Sequence, residues 1–192
     1  MISIMFAEIE RHFQDIPSRE FHFDSGHYLF HRGDSVNVIH VIQEGAVHLA
    51  RHQMDGSAVI LQRAVPHSIL AEASLYSDTY HCDAVALSAT RTLAFTKIDL
   101  KTRLMKNAKF GDAWARHLAK ELQKTRMQAE MLSLRTVAER LDAWIAWRDG
   151  DVPRKGEWKT IASQIGVSPE AFYREIAKRQ KLTKPSLASS AP

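Results

Sequence analysis

Apolar and polar positions follow two different periods along this chain. Between residues 19 and 98 the apolar residues come in short runs, such as "HYLFH", "VNVIHVIQEGAVHLA" and "AVILQRA", separated by Gly-Asp, Glu-Gly and Asp-Gly pairs. Runs of this length with turn residues between them predict strands. Asp55-Gly56, between "VHLARHQM" and "SAVILQRA", predicts a hairpin, because both central turn positions require positive φ. Several short strands at regular spacing predict a sandwich or barrel. Ahead of them, residues 1–13 predict a short amphipathic helix packed on the β domain.

From residue 100 to about 131 the period becomes helical. Trp114, Leu118, Leu122, Thr125, Ala129 and Leu132 recur at spacings of three and four and form one apolar stripe. The stripe is longer than a small β domain covers, so pairing with a second copy would make this a dimerisation helix. The alternative burial is along its own β domain. Thr136-Val-Ala-Glu139 is a capping box, which starts a new helix and places a break, and hence a hinge, near residues 133–135. The new helix carries Val137, Leu141, Trp144 and Ile145 on one face. Beyond it, "GEWKTIASQIGVSPEAFYREIAKRQ" predicts a helix over 158–165 ending at Gly166 and a second helix capped by Ser168, with Pro169 in its first turn. Phe172 and Ile176 would face inward with Ile161, Ile165 and Val167, leaving Glu170, Tyr173, Arg174 and Lys178 outward. This is the pattern of a helix-turn-helix.

Charge sharpens that reading. The chain carries a net +4, but eight basic against three acidic residues between Arg154 and Lys184 give that stretch +5 and leave the rest at −1. A basic carboxyl end on a near-neutral body fits a polyanionic partner, although a solvated basic tail has the same composition. The single cysteine excludes a disulfide framework and an iron–sulfur cluster. No secretory leader or bilayer-length apolar run is evident, so a cytoplasmic protein with no membrane association is expected.

Taken in order, the three segments resemble the Crp–Fnr family of bacterial transcription regulators over roughly residues 10 to 180. "GHYLFHRGD" and "VIQEGAVHL" resemble the family's Gly-x-x-Leu-Phe-x-x-Gly-Asp and Gly-x-Val turns. "SLRTVAERLDAWI" resembles its hinge junction and "IASQIGVSPEAFYREI" its helix-turn-helix. The resemblance implies an α+β fold. An amino-terminal double-stranded β-helix (jelly-roll) sensor domain would span 1–99 and a dimerisation helix 100–134. A winged-helix-like DNA-binding domain would follow over 135–184, with its wing truncated, and a disordered tail over 185–192. It also implies a homodimer on a palindromic double-stranded operator, with half-sites one helical turn (about 34 Å) apart, and RNA polymerase as a further partner. Pro169, Glu170 and Arg174 fall at the family's base-reading positions, beside Ser168 and Tyr173. Glu170 suits a cytosine amino group and Arg174 guanine O6 and N7, whereas Pro169 removes a polar contact. Lys178 and Arg179, with Lys181, Arg154 and Lys159, would hold phosphates.

The sensor pocket departs from the family. Its cyclic-nucleotide-binding members carry Gly-Glu-Leu and then Arg-Ser/Thr-Ala, the arginine holding the cyclic phosphate; here the residues are Ala71-Glu72-Ala73 and Cys82-Asp83-Ala84. Losing that charge-assisted contact costs about 1.5–3 kcal/mol, and Asp83 would add repulsion, so tight cyclic AMP binding is not expected. Glu72, His81, Cys82 and Asp83 remain as the effector pocket. His67, His81 and Cys82 could hold a metal ion, the pocket could take haem, or Cys82 could be a redox thiol; equally, Cys82 could be a buried structural residue. The cofactor stays undecided. The expected function is a dimeric, DNA-binding regulator whose β domain reports a signal. Its rivals are a ligand- or metal-binding module without a DNA role and a cyclic-nucleotide-responsive regulator with an altered pocket. The chain has no phosphate-binding glycine loop, nucleophile elbow or His-Glu-x-x-His, so no enzyme is expected.

Overall fold

The computed structural model describes residues 9, 11–54, 58–148 and 150–183. Eight strands form two four-stranded antiparallel sheets in a jelly-roll-like arrangement: β1 (Ser18–Phe23), β2 (Tyr28–Phe30), β3 (Val38–Glu44), β4 (Val47–His52), β5 (Ala58–Ala64), β6 (Ile69–Leu70), β7 (Asp83–Ala86) and β8 (Thr90–Thr96). The sheet orders are β1-β8-β3-β6 and β2-β7-β4-β5. β4 and β5 pair out to His52↔Ala58, and the predicted Asp55-Gly56 turn lies outside the described residues. The predicted helix over 1–13 also lies largely outside them; residues 11–16 form turns, with Phe13 and Ile16 buried.

Burial on both faces explains why "VIHVI" in β3 reads as a continuous apolar run rather than an alternating one. One face of β3 turns His40 toward Phe21, Phe23 and Phe30 inside the sandwich. The opposite face lies with Leu93 and Phe95 of β8, and the Phe13 ring meets that of Phe95 at a tilt, centroids 4.8 Å apart. The β3–β4 turn needs Gly45, whose φ is +85° and whose added Cβ would stand 2.4 Å from the Ala89 carbonyl oxygen.

The helices are α1 (Lys97–Lys106), α2 (Ala108–Ser133), α3 (Val137–Trp147), α4 (Trp158–Gln164) and α5 (Pro169–Thr183). The single helix expected from residue 100 is therefore two. Asn107 leaves the helical conformation at φ −124°, its amide still bonded to the Arg103 carbonyl. Its side-chain oxygen accepts from the Phe110 amide at 3.0 Å and so caps α2. The predicted capping box is present: Thr136 Oγ1 accepts from the Glu139 amide at 3.1 Å, and the Glu139 carboxylate accepts from the Thr136 amide at 2.9 Å.

The chain forms two compact units, Met1–Ala119 and Lys120–Pro192, and the division falls within α2. The core of the first unit includes Ile39, Ile42, Leu70, Leu75, Phe110 and Trp114. That of the second includes Met131, Leu141, Trp144, Ile161, Phe172 and Ile176. No helix among the described residues is long and apolar enough to cross a membrane.

Candidate nucleic-acid interface and sensor pocket

In the second unit, α4 and α5 are joined by a tight left-handed turn. Gly166 has φ +66°; its amide donates to the Ser163 carbonyl, and the Val167 amide donates to the Ala162 carbonyl at 2.9 Å. This paired closure is the Schellman end of α4. Two residues on, Ser168 Oγ accepts from the Ala171 amide at 3.2 Å and opens α5. Phe172 and Ile176 are buried against Ile161, Ala162 and Ile165. Trp144 of α3 donates from Nε1 to Gln164 Oε1 at 3.1 Å and ties α3 to α4.

The face opposite this core is polar. Glu170, Arg174 and Lys178, four apart on α5, are all exposed. The carboxyl of Glu170 is held below its usual range by its own amide, the Ser168 hydroxyl and the positive charge of Arg174, so the helix start presents a carboxylate. Ser168 is exposed and Pro169 half-buried. Arg154, Lys155, Lys159 and Lys181 are also exposed.

Two residues depart from the expected set. Tyr173 is half-buried, its ring 5.6 Å from that of Trp158, so it supports the helix rather than standing outward with Arg174. Arg179, expected to hold phosphate, is committed within the unit: it donates to Asp142 Oδ1 at 2.6 Å, Glu175 Oε1 at 2.8 Å and the Ala138 carbonyl at 3.0 Å. Those carboxylates keep it charged and pin α5 to α3.

Arg140 drew no attention in the sequence, yet it binds more carbonyls than any other side chain among the described residues. Its Nε donates to Leu134 O at 2.9 Å, Nη1 to Ile165 O at 3.1 Å and Gly166 O at 2.9 Å, and Nη2 to Leu132 O at 3.0 Å. One guanidinium thus caps the end of α2 and the turn of the helix-turn-helix together.

In the first unit the proposed effector cluster does not assemble. Cys82 is fully buried in the core, and burial raises its thiol above the ordinary range, with Arg51 acting in the opposite sense. These surroundings are those of a buried structural cysteine rather than of an activated thiolate, the second of the two readings of Cys82. Asp83, next along the chain, faces away: its carboxylate accepts from the Arg32 amide at 2.9 Å and lies 3.0 Å from His52 Nδ1 and 3.5 Å from His31 Nδ1. Burial pushes the Asp83 carboxyl up, but these partners together outweigh it and hold the group below its usual range. Glu72 begins a 3₁₀ turn, Glu72–Tyr76, after Ala71, which adopts φ 52° where glycine would be unstrained. His81 is exposed and reaches Ser74 Oγ at 3.4 Å, a long contact. His67 lies in the β5–β6 connection, in the wall of a groove that includes neither His81 nor Cys82. Among the described residues no three His, Cys, Asp or Glu side chains are grouped to hold a metal ion, which also corrects the proposed His67, His81 and Cys82 set.

Arg51 was also missed. It follows Val47 and Leu49 by strand alternation, and the pair Ala50↔Asp83 sets it beside Cys82 on the neighbouring strand. Its Nη2 donates to the His81 carbonyl at 3.1 Å, and its Nε is buried without a partner. Alternation along "VHLAR" was the available signal.

The stripe expected to mediate dimerisation divides. Trp114 is buried in the core of the first unit beside Phe13 and Phe110, and Leu118 packs at its edge, so these two are committed to the β domain. Leu122, Thr125, Ala129 and Leu132 are exposed.

Residues 20–107 match the cyclic nucleotide-binding domain model. No curated protein matches the chain. Among solved structures it is similar to FixK2 from Bradyrhizobium japonicum, with TM-score 0.68 and 15% identity over 91% of this chain and 90% of that one. It is similar to the c-di-GMP responsive global regulator CLP of Xanthomonas campestris, with TM-score 0.62 and 17% identity over 97% of this chain and 96% of that one. A CRP-family transcriptional regulator from Thermus thermophilus gives TM-score 0.57 and 15% identity over 90% of this chain and 88% of that one. Identities this low speak to fold, and the fold is the one expected. Residues 20–107 are thus similar to the cyclic nucleotide-binding domain, and the chain shares its overall fold with these three solved proteins.

Proposed function

We propose that the protein is a dimeric, sequence-specific DNA-binding transcription regulator without enzymatic activity. The observation that carries this reading is the exposed row Glu170, Arg174 and Lys178 on a helix whose other face is locked into a core by Phe172 and Ile176. Such a helix fits the major groove, with Arg174 bidentate to guanine and Glu170 accepting from cytosine. Lys178, Lys181, Arg154, Lys155 and Lys159 supply phosphate contacts; Arg179 does not. Two copies meeting along Leu122, Thr125, Ala129 and Leu132 would present two such helices to a palindrome. The test is duplex binding titrated against salt: each phosphate contact contributes a slope of about 0.9 in log affinity. Arg174→Ala should cost about 1–3 kcal/mol and relax preference at one base position, while Lys178→Ala should weaken all sequences alike. A flat salt response, or loss of binding that ignores sequence in Arg174→Ala, overturns the reading.

The sensor of this regulator has lost the family's phosphate anchor, since residue 82 is a buried thiol, and we assign Cys82 a packing role. A second reading is favoured by Arg51, which brings a guanidinium from the next strand to the same corner. In that reading cyclic nucleotides still bind, and Arg51→Ala abolishes the binding. If cyclic AMP and cyclic GMP show no saturable heat with the wild-type chain, the second reading fails and the first is retained.

A further inference from the structure

In the first unit a small molecule fits on the outside of the sandwich. A groove of about 370 Å³ lies between the turns at residues 11–16 and the outer face of the β1-β8-β3-β6 sheet. Its floor is apolar, made by Phe13, Ile16, Val41, Leu93 and Phe95. Its ionisable wall residues are Arg11 and His67, and among the described residues no carboxylate lines it. His67 holds φ +73°, a conformation that costs a non-glycine residue energy and that clusters at binding sites. Arg11 is also a wall of a neighbouring cleft of about 460 Å³, shared with His12, Lys109, Asp112 and Arg116. Asp112 is paired with Arg116, and among the described residues the cleft carries three cationic side chains and one carboxylate. An apolar groove thus adjoins a cationic cleft, with one arginine lining both.

We infer that these two spaces together bind an amphipathic anion, its acyl or aryl body in the groove and its acidic head group in the cleft. Burying the body removes apolar surface from water, and the head group gains charge pairing with the exposed side chains of Arg11 and Lys109. The groove volume is at the lower end of small-ligand sites, which fits a medium-length chain rather than a long lipid. A cationic or neutral head of the same length gains nothing in the cleft, so head-group charge is the discriminating variable. The site is separate from the corner around Cys82 and Arg51 and does not depend on how that corner is read.

Calorimetric titration of the full chain with decanoate, decyl phosphate, decanol and decyltrimethylammonium, each below micelle formation, tests the inference. Both anions should bind saturably and about three- to tenfold tighter than the cation or the alcohol, the size of two exposed charge pairs. Binding of only one anion also supports the site and assigns its head group. Arg11→Gln with Lys109→Gln should erase the preference for anions while keeping the thermal midpoint. Leu93→Trp should fill the groove and abolish binding; if that variant does not fold, Gln43→Trp, at the groove wall, replaces it. Absence of saturable binding at about 1 mM, equal affinity for the cationic analogue, or wild-type affinity in the folded groove-filling variant overturns it.

Discussion

At the scale of single residues, the two buried groups that look reactive are held inert. His40 sits among Phe21, Phe23 and Phe30 with its Nδ1 3.0 Å from Thr92 Oγ1, and burial lowers its pKa to about 4. Unfolded, it protonates near 6.5; folded, it resists until about 4, so between these values the unfolded state binds more protons. The stability gained is complete above pH 6.5 and is lost progressively as pH falls toward 4, about 3 kcal/mol in all. Denaturant melts across this window should show that slope, and His40→Leu with Thr92→Val, which removes both polar partners, should flatten it. Cys82 follows the same logic. Its thiol should react with a disulfide reagent only as fast as the domain opens, and Cys82→Ser should cost about 1–3 kcal/mol by placing a hydroxyl in an apolar site. DNA affinity of the folded Cys82→Ser variant should equal that of wild type. Faster labelling in the native state, or changed DNA affinity, returns Cys82 to the list of sensors.

At the scale of elements, legibility followed locality. The capping box at Thr136, the glycine end of α4 and the Ser168 cap are built from residues within a few positions of one another, and all were readable in the sequence. The break at Asn107 was not, because Asn is tolerated in helices and its cap becomes visible only once α1 has an end. Arg140 was unreadable for a different reason: its partners lie up to 26 residues away and are all backbone carbonyls, which have no sequence signature. Its chemistry still makes a sharp prediction. Arg140→Gln should destabilise the second unit by about 3 kcal/mol, and Arg140→Lys should recover only part, because a point charge cannot reach two helix ends at once. Gly166→Ala tests the same corner from the other side. A Cβ there meets Leu132 Cδ2 at 2.4 Å in a left-handed backbone, so a loss of about 1–2 kcal/mol is expected. Denaturation followed by tryptophan fluorescence reads both, since Trp144 and Trp158 belong to this core.

At the scale of the whole molecule, one amphipathic stripe serves two ends, and no sequence pattern could say where one stops. Period alone placed Trp114, Leu118, Leu122, Thr125, Ala129 and Leu132 on a single line. The β domain then covers Trp114 and Leu118, whose aromatic neighbours Phe13 and Phe110 come from different parts of the chain. The effector residues failed for the same reason: adjacency of His81, Cys82 and Asp83 in sequence says nothing of which face each takes at a strand edge. The division of the stripe sets the half covered by the β domain apart from the half proposed to meet a second copy, and each half has its own expected phenotype. Trp114→Ala should unfold the first unit, costing about 3–5 kcal/mol through a large cavity. Leu122→Glu with Ala129→Glu touches no core residue and should leave both units folded. It should instead convert a sedimenting dimer to a monomer, because two carboxylates on each partner would face their copies. Operator affinity should then drop by about 10²–10⁴, since each recognition helix must find its half-site alone. Sedimentation and operator titration of both variants decide the matter: a Leu122→Glu, Ala129→Glu protein that remains dimeric places the subunit contact elsewhere, and one that is monomeric yet binds with wild-type affinity removes the need for a dimer.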